Sequence, residues 1–122
     1  MRKLKVLLLA ITLLVTSNQS SFAHAELVKS FPAANSTLTK APKFVQLEFG
    51  EAITTIKSKN ANSIVLLDAK SHKIATSQIE IKKAIARVEL IGTLRPGKYT
   101  VRYRIVSADG HVLNAQYKFT LS

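Results

Sequence analysis

The sequence has no cysteine and no tryptophan, and its single methionine is Met1. The missing cysteines exclude disulfides, thiolate zinc sites, a cysteine nucleophile and a lipid-modified N-terminal cysteine. Without internal methionine the chain also lacks thioether ligands for a soft metal ion. Acidic residues are scarce, 7 against 18 Lys and Arg, for a formal charge of +11. Past the first five residues the basic residues are scattered from Lys29 to Lys118 with no block longer than Lys82-Lys83, a solvated surface rather than a nucleic-acid footprint. The longest apolar run, Val6 to Val15, is half the roughly 20 residues that a spanning helix needs. Stable membrane insertion is therefore not expected.

That run has another reading. Arg2, Lys3 and Lys5 precede it, and a polar stretch from Thr16 to Ser21 follows it. Positive start, short apolar centre and small-residue exit form a secretory signal peptide. Ser21-Phe22-Ala23 presents small residues for cleavage after Ala23, which makes residues 1–23 the signal and residues 24–122 one mature domain beginning at His24. Ala23-His24-Ala25 is an equally good A-x-A site and would discard His24. Cleavage rules alone leave both open; we adopt the first for the chemistry that it gives His24. Removal of the three basic residues lowers the formal charge to +8.

From there the dominant signal is alternation of apolar residues with period two, the mark of half-buried strands. Val45, Leu47 and Phe49 alternate with polar neighbours, as do Ile79 and Ile81, Val88 and Leu90, Tyr99 to Ile105, and Tyr117 to Leu121. Ile64 to Leu67 is a short apolar run ending at a turn-like Asp68-Ala69-Lys70-Ser71. Pro32, Asn35-Ser36 and Arg95-Pro96-Gly97 punctuate the pattern, and Asp109-Gly110 suits a type I′ connection between the last two strands. No window carries an apolar stripe at helical spacing over three turns. About seven short strands in some 100 residues predict an all-β, Ig-like Greek-key sandwich or barrel.

Three histidines, His24, His72 and His111, are the available nitrogen ligands. An N-terminal histidine offers its α-amine, whose pKa is about 8, together with its own imidazole. Asp109 and His111, two apart, add a carboxylate and a second imidazole, and alternate residues of an extended segment face the same side. Such a nitrogen and oxygen set suits Cu(II), which tops the divalent affinity order, and no sulfur is present for Cu(I). The bland reading stands beside it: Asp-Gly is common in β connections, and a loop histidine is usually just solvated. His72, in Lys70-Ser71-His72-Lys73, reads as an exposed turn residue.

His24-Ala25-Glu26-Leu27 with Ser30-Phe31-Pro32-Ala33, then Val45 to Phe49, then Gly97-Lys98-Tyr99-Thr100-Val101 leading to Ser107-Ala108-Asp109-Gly110-His111, resemble the CopC family of bacterial copper-resistance proteins. The resemblance runs through the whole mature region. It implies a periplasmic Ig-like sandwich that carries or buffers copper, with Cu(II) held by His24, Asp109 and His111. An inner-membrane copper transporter is the partner it suggests. Some family members add a methionine-rich Cu(I) loop, which is missing here. Phe49-Gly50-Glu51 departs from the family's F-S-E at its middle position, and Glu51 is a candidate group near the metal, with Glu26 a weaker one. Two other functions compete: a copper-dependent oxidase or oxygenase using the same histidine arrangement, and an Ig-like interaction module with incidental histidines. The first conflicts with Asp109 as an extra ligand, and fold alone does not exclude the second.

Overall fold

The computed structural model describes residues 26–55 and 61–122. The expected signal peptide, its cleavage point after Ala23 and His24 lie outside the described residues. Eight strands follow in order: β1 (Leu27–Phe31), β2 (Thr37–Leu38), β3 (Phe44–Phe49), β4 (Ser63–Leu67), β5 (Glu80–Lys82), β6 (Ile85–Glu89), β7 (Gly97–Val106) and β8 (Val112–Leu121). They form two four-stranded sheets, one ordered β1-β3-β6-β5 and the other β2-β8-β7-β4. Leaving aside the two-residue β2, this is the seven-strand immunoglobulin arrangement, four strands facing three. The expected sandwich is therefore present, with β2 as an added strand parallel to β8. No helix among the described residues is long and apolar enough to cross a membrane.

Alternation explains which face is buried. Val45, Leu47 and Phe49 from β3, Ala86 and Val88 from β6, Tyr99 to Ile105 at every second place on β7, and Phe119 and Leu121 from β8 fill the space between the sheets. Phe49 meets Tyr103 edge to face across this core with ring centroids 5.8 Å apart. Tyr99, near the start of β7, donates its hydroxyl hydrogen to the Arg95 carbonyl at 2.5 Å and stacks on Phe119 at 5.4 Å. This tyrosine corner is a hallmark of Ig-like sandwiches and ties the turn before β7 to the core.

The β7–β8 hairpin is the longest paired unit, running from Gly97↔Leu121 to Val106↔Val112. It closes through Ser107 to His111. Only Gly110 of this loop has a positive φ, +89°. A type I′ turn needs two such residues, so the expected tight Asp-Gly turn is replaced by a five-residue loop. That wider loop is where the candidate ligands sit.

Candidate metal centre

The loop's base is anchored before its tip is shaped. Ser107 N donates to the His111 carbonyl at 2.9 Å and Gly110 N to the Ser107 carbonyl at 2.9 Å, closing the loop on itself. Ala108 N donates to Ala52 O at 2.9 Å, and Thr54 Oγ1 donates to Ser107 O at 2.9 Å. The segment leaving β3 therefore braces the loop, and Ser107 is wholly buried between them.

On this base Asp109 folds back over its own loop. One carboxylate oxygen, Oδ1, accepts from the Ser107 hydroxyl and from the His111 backbone N–H, the latter at 3.1 Å. The other, Oδ2, lies 2.8 Å from His111 Nδ1. Asp109 and His111 do converge, but not because they alternate along a strand. The left-handed turn at Gly110 and the capping of the carboxylate by backbone and hydroxyl donors bring them together. The His111 side chain stays 60% exposed and that of Asp109 33%, so the pair opens to solvent.

Two other carboxylates were candidates. Glu51 stands one residue from the Ala52 carbonyl that holds the loop, and its buried Oε2 has no hydrogen-bond partner among the described residues. A buried unpaired carboxylate oxygen is costly, and it lies at the same end of the sandwich as the pair. Glu26 is exposed, and its carbonyl accepts from Gly50 N at 2.8 Å, which brings the start of β1 to this rim. Among the described residues no three His, Cys, Asp or Glu side chains converge as a complete metal cage.

His72 belongs elsewhere. It is exposed in the loop after β4, 3.5 Å from the Asp68 carboxylate. Asp68 Oδ1 accepts from Lys70 N at 2.8 Å and His72 N at 2.9 Å. The bond from His72 N does most to hold the Asp68 carboxyl below its ordinary range, and nearby positive charge helps. β4 ends opposite Thr100, six residues from Val106 on β7, or roughly 20 Å from the Asp109 loop. His72 is an exposed turn residue, as its sequence context indicates.

An Ig-like sandwich whose β7–β8 loop presents an oriented carboxylate–imidazole pair defines a class of candidate metal-binding β-sandwich proteins. Comparison with known proteins narrows this class. A CopC domain matches residues 27–122. Protein YobA of Escherichia coli is 34% identical over 120 residues, covering 92% of this chain and 91% of that protein. The copper transport protein CutJ of Bacillus subtilis is 34% identical over 111 residues, covering 88% of this chain but 20% of its own length. Two crystal structures share the fold: CopC from Methylosinus trichosporium OB3b, with TM-score 0.70, 28% identity and coverage of 81% of this chain and 94% of that one, and PcoC, a methionine-rich copper resistance protein from E. coli, with TM-score 0.68, 30% identity and coverage of 82% and 100%. The chain belongs to the CopC family. The matched region contains Asp109 and His111 and begins after His24.

Proposed function

We propose that the chain is exported to the periplasm, is cut after Ala23, and binds one Cu(II) ion through the amine and imidazole of His24, the Asp109 carboxylate and the His111 ring. Copper is its cargo, held for tolerance, buffering or delivery without a catalytic step. Family membership supports a copper-binding role. The oriented Asp109–His111 pair carries the assignment of the site: Nδ1 and Oδ2 stand 2.8 Å apart. Two ligands at about 2.0–2.2 Å from one ion, at a right angle, stand roughly 2.9 Å apart. That spacing lets one ion sit against both atoms with little movement of either side chain.

The described ligands are two, so the site needs others. His24 precedes Glu26 by two residues, a reach of roughly 7 Å, and the Glu26 carbonyl is bonded to Gly50 at the same rim. A free amine there loses its proton to a metal at small cost near neutral pH. The chain after Met1 has no sulfur, so the reading includes no methionine site for Cu(I), and Cu(II) is the ion that this donor set favours. Asp109 occupies a coordination position that oxygen activation would need open, which favours carriage over oxygenase chemistry.

The test is copper titration of processed protein whose N-terminus has been established by mass spectrometry. One Cu(II) per chain is expected, with a spin-resonance signature of mixed nitrogen and oxygen ligation. His24→Ala, or one extra residue before His24, should weaken binding at least tenfold, about 1.4 kcal/mol. Unchanged affinity in both variants, or a secreted chain that begins at Glu26, overturns the reading.

A further inference from the structure

The seven acidic side chains are unevenly placed. Glu48, Glu80 and Glu89 lie on the outer face of the β1-β3-β6-β5 sheet, where Lys29, Lys82 and Arg87 balance them. Arg87 is fully engaged there: its Nε meets Glu89 at 2.8 Å, and its guanidinium sits 3.8 Å above the Phe44 ring. Glu26, Glu51 and Asp109 gather at the metal-loop rim, and Asp68 lies in the loop after β4. None remains for the outer face of the opposite sheet.

That face carries Lys98, Arg102 and Arg104 on β7 and Lys118 on β8, all exposed. Among the described residues none of the four forms an ion pair. Their neighbours across the ladder are neutral: Gln116 beside Arg102, and Asn114 and Ser63 beside Arg104. The two guanidiniums are held rather than loose, Arg102 Nε 3.4 Å from Gln116 Oε1 and Arg104 donating to the Ala61 carbonyl at 2.6 Å. Both line a shallow depression of about 490 Å³ with Val65 and Gln116. The same two strands lead directly into the Asp109–His111 loop.

We propose that this cationic, carboxylate-free sheet face docks an acidic surface of a protein that exchanges copper with the loop at its end. The proposal rests on the copper-carrier reading above. Guanidiniums bind carboxylates and phosphates alike through paired hydrogen bonds; two of them held in place at one small depression match carboxylates fixed on a folded protein surface better than mobile lipid headgroups. The β7 cations run from Lys98 to Arg104, six residue steps or roughly 20 Å. A contact of that size falls well below a standard interface, so the encounter is weak, fast and salt-sensitive, as handing over an ion requires.

The probes are a decaglutamate peptide and vesicles of phosphatidylglycerol in phosphatidylcholine, followed by backbone amide shifts of the processed protein at low salt. The peptide should shift amides of β4, β7 and β8, and the shifts should vanish near 0.5 M salt, where screening is nearly complete (Debye length only several Å, by order of magnitude). Arg102→Glu with Arg104→Glu should weaken peptide binding at least tenfold, while Lys29→Glu with Lys82→Glu on the other sheet should change it less than twofold. Arg102→Gln with Arg104→Gln, the milder pair, should weaken it in the same direction. Cu(II) affinity should be unchanged in all three. Peptide shifts that spread over every basic region, that centre instead on a second depression lined by Lys70, Lys73 and Arg95, or that survive the Arg102 and Arg104 changes overturn the proposal. So does vesicle binding through this face without peptide binding. Loss of copper binding in wild-type protein would refute the carrier reading instead, and the amide shifts would still report on the face by themselves.

Discussion

Asp109 shows how much a single side chain depends on its immediate loop. Its two oxygens are divided between two tasks: Oδ1 takes the Ser107 hydroxyl and the His111 N–H, while Oδ2 faces the His111 ring. Ser107→Ala removes one of the donors that aim the carboxylate. We expect a stability loss of about 1 kcal/mol, measured by urea denaturation, and weaker Cu(II) binding with His24 intact. Gly110→Ala tests the turn itself. A Cβ there meets nothing within 4 Å, so the penalty lies in the backbone at φ +89°, about 1–2 kcal/mol for a left-handed non-glycine residue. A loss near zero in the same denaturation experiment would mean that the loop has another comfortable conformation. The sequence shows that a carboxylate and an imidazole stand two residues apart here, which makes them candidate ligands. The manner of their convergence was not, because it depends on a five-residue loop braced by Ala52 and Thr54, more than 50 positions away in the chain.

The strands were legible where their alternation is clean, and less so where it fails. β3 reads iBiBiB in burial, and its pattern is plain in Val45, Leu47 and Phe49. β1 went unread because its register shifts between Leu27 and Lys29, which breaks the two-residue period. β2 is only two residues long. β8 begins at Val112, five residues before the alternation from Tyr117 becomes evident, because the inward place at Ala115 carries little apolar signal. Tyr99 anchors the entry to β7, and Tyr99→Phe should lower stability by about 1 kcal/mol through loss of the Arg95 bond, again read by denaturation. Tyr117 on β8 gives a pH-dependent case. Burial pushes its phenol up to about 12; the Ser30 side chain nearby opposes the shift but does not reach hydrogen-bond geometry. Burial raises Tyr103 as well. Because the folded pKa exceeds the ordinary value near 10, stability is full below pH 10 and falls as pH rises through about 12. For a half-buried ring the loss is at most about 2 kcal/mol. Tyr117→Phe should flatten that alkaline decline in thermal melts taken from pH 9 to 12; an unchanged slope would assign the decline to other groups.

At the scale of the whole molecule, stability comes from two sheets closing over one core. Leu47 is completely buried at its centre, so Leu47→Ala should remove about 2–5 kcal/mol, checked by urea denaturation and by retained copper binding at low temperature. The sequence by itself determined the β class, the absence of sulfur ligands and the identities of the candidate donors, since these follow from local alternation and composition. It also set the net positive charge, but scattered cations in a linear chain reveal no face. Only tertiary structure decided that the carboxylates occupy one sheet and the rims, leaving Lys98, Arg102, Arg104 and Lys118 together on the other. It likewise decided that the start of β1, the segment after β3 and the β7–β8 loop meet at one end. The physical reason is that pairing between distant strands, set by burying apolar faces against each other, chooses which remote residues become neighbours, and no local pattern carries that information.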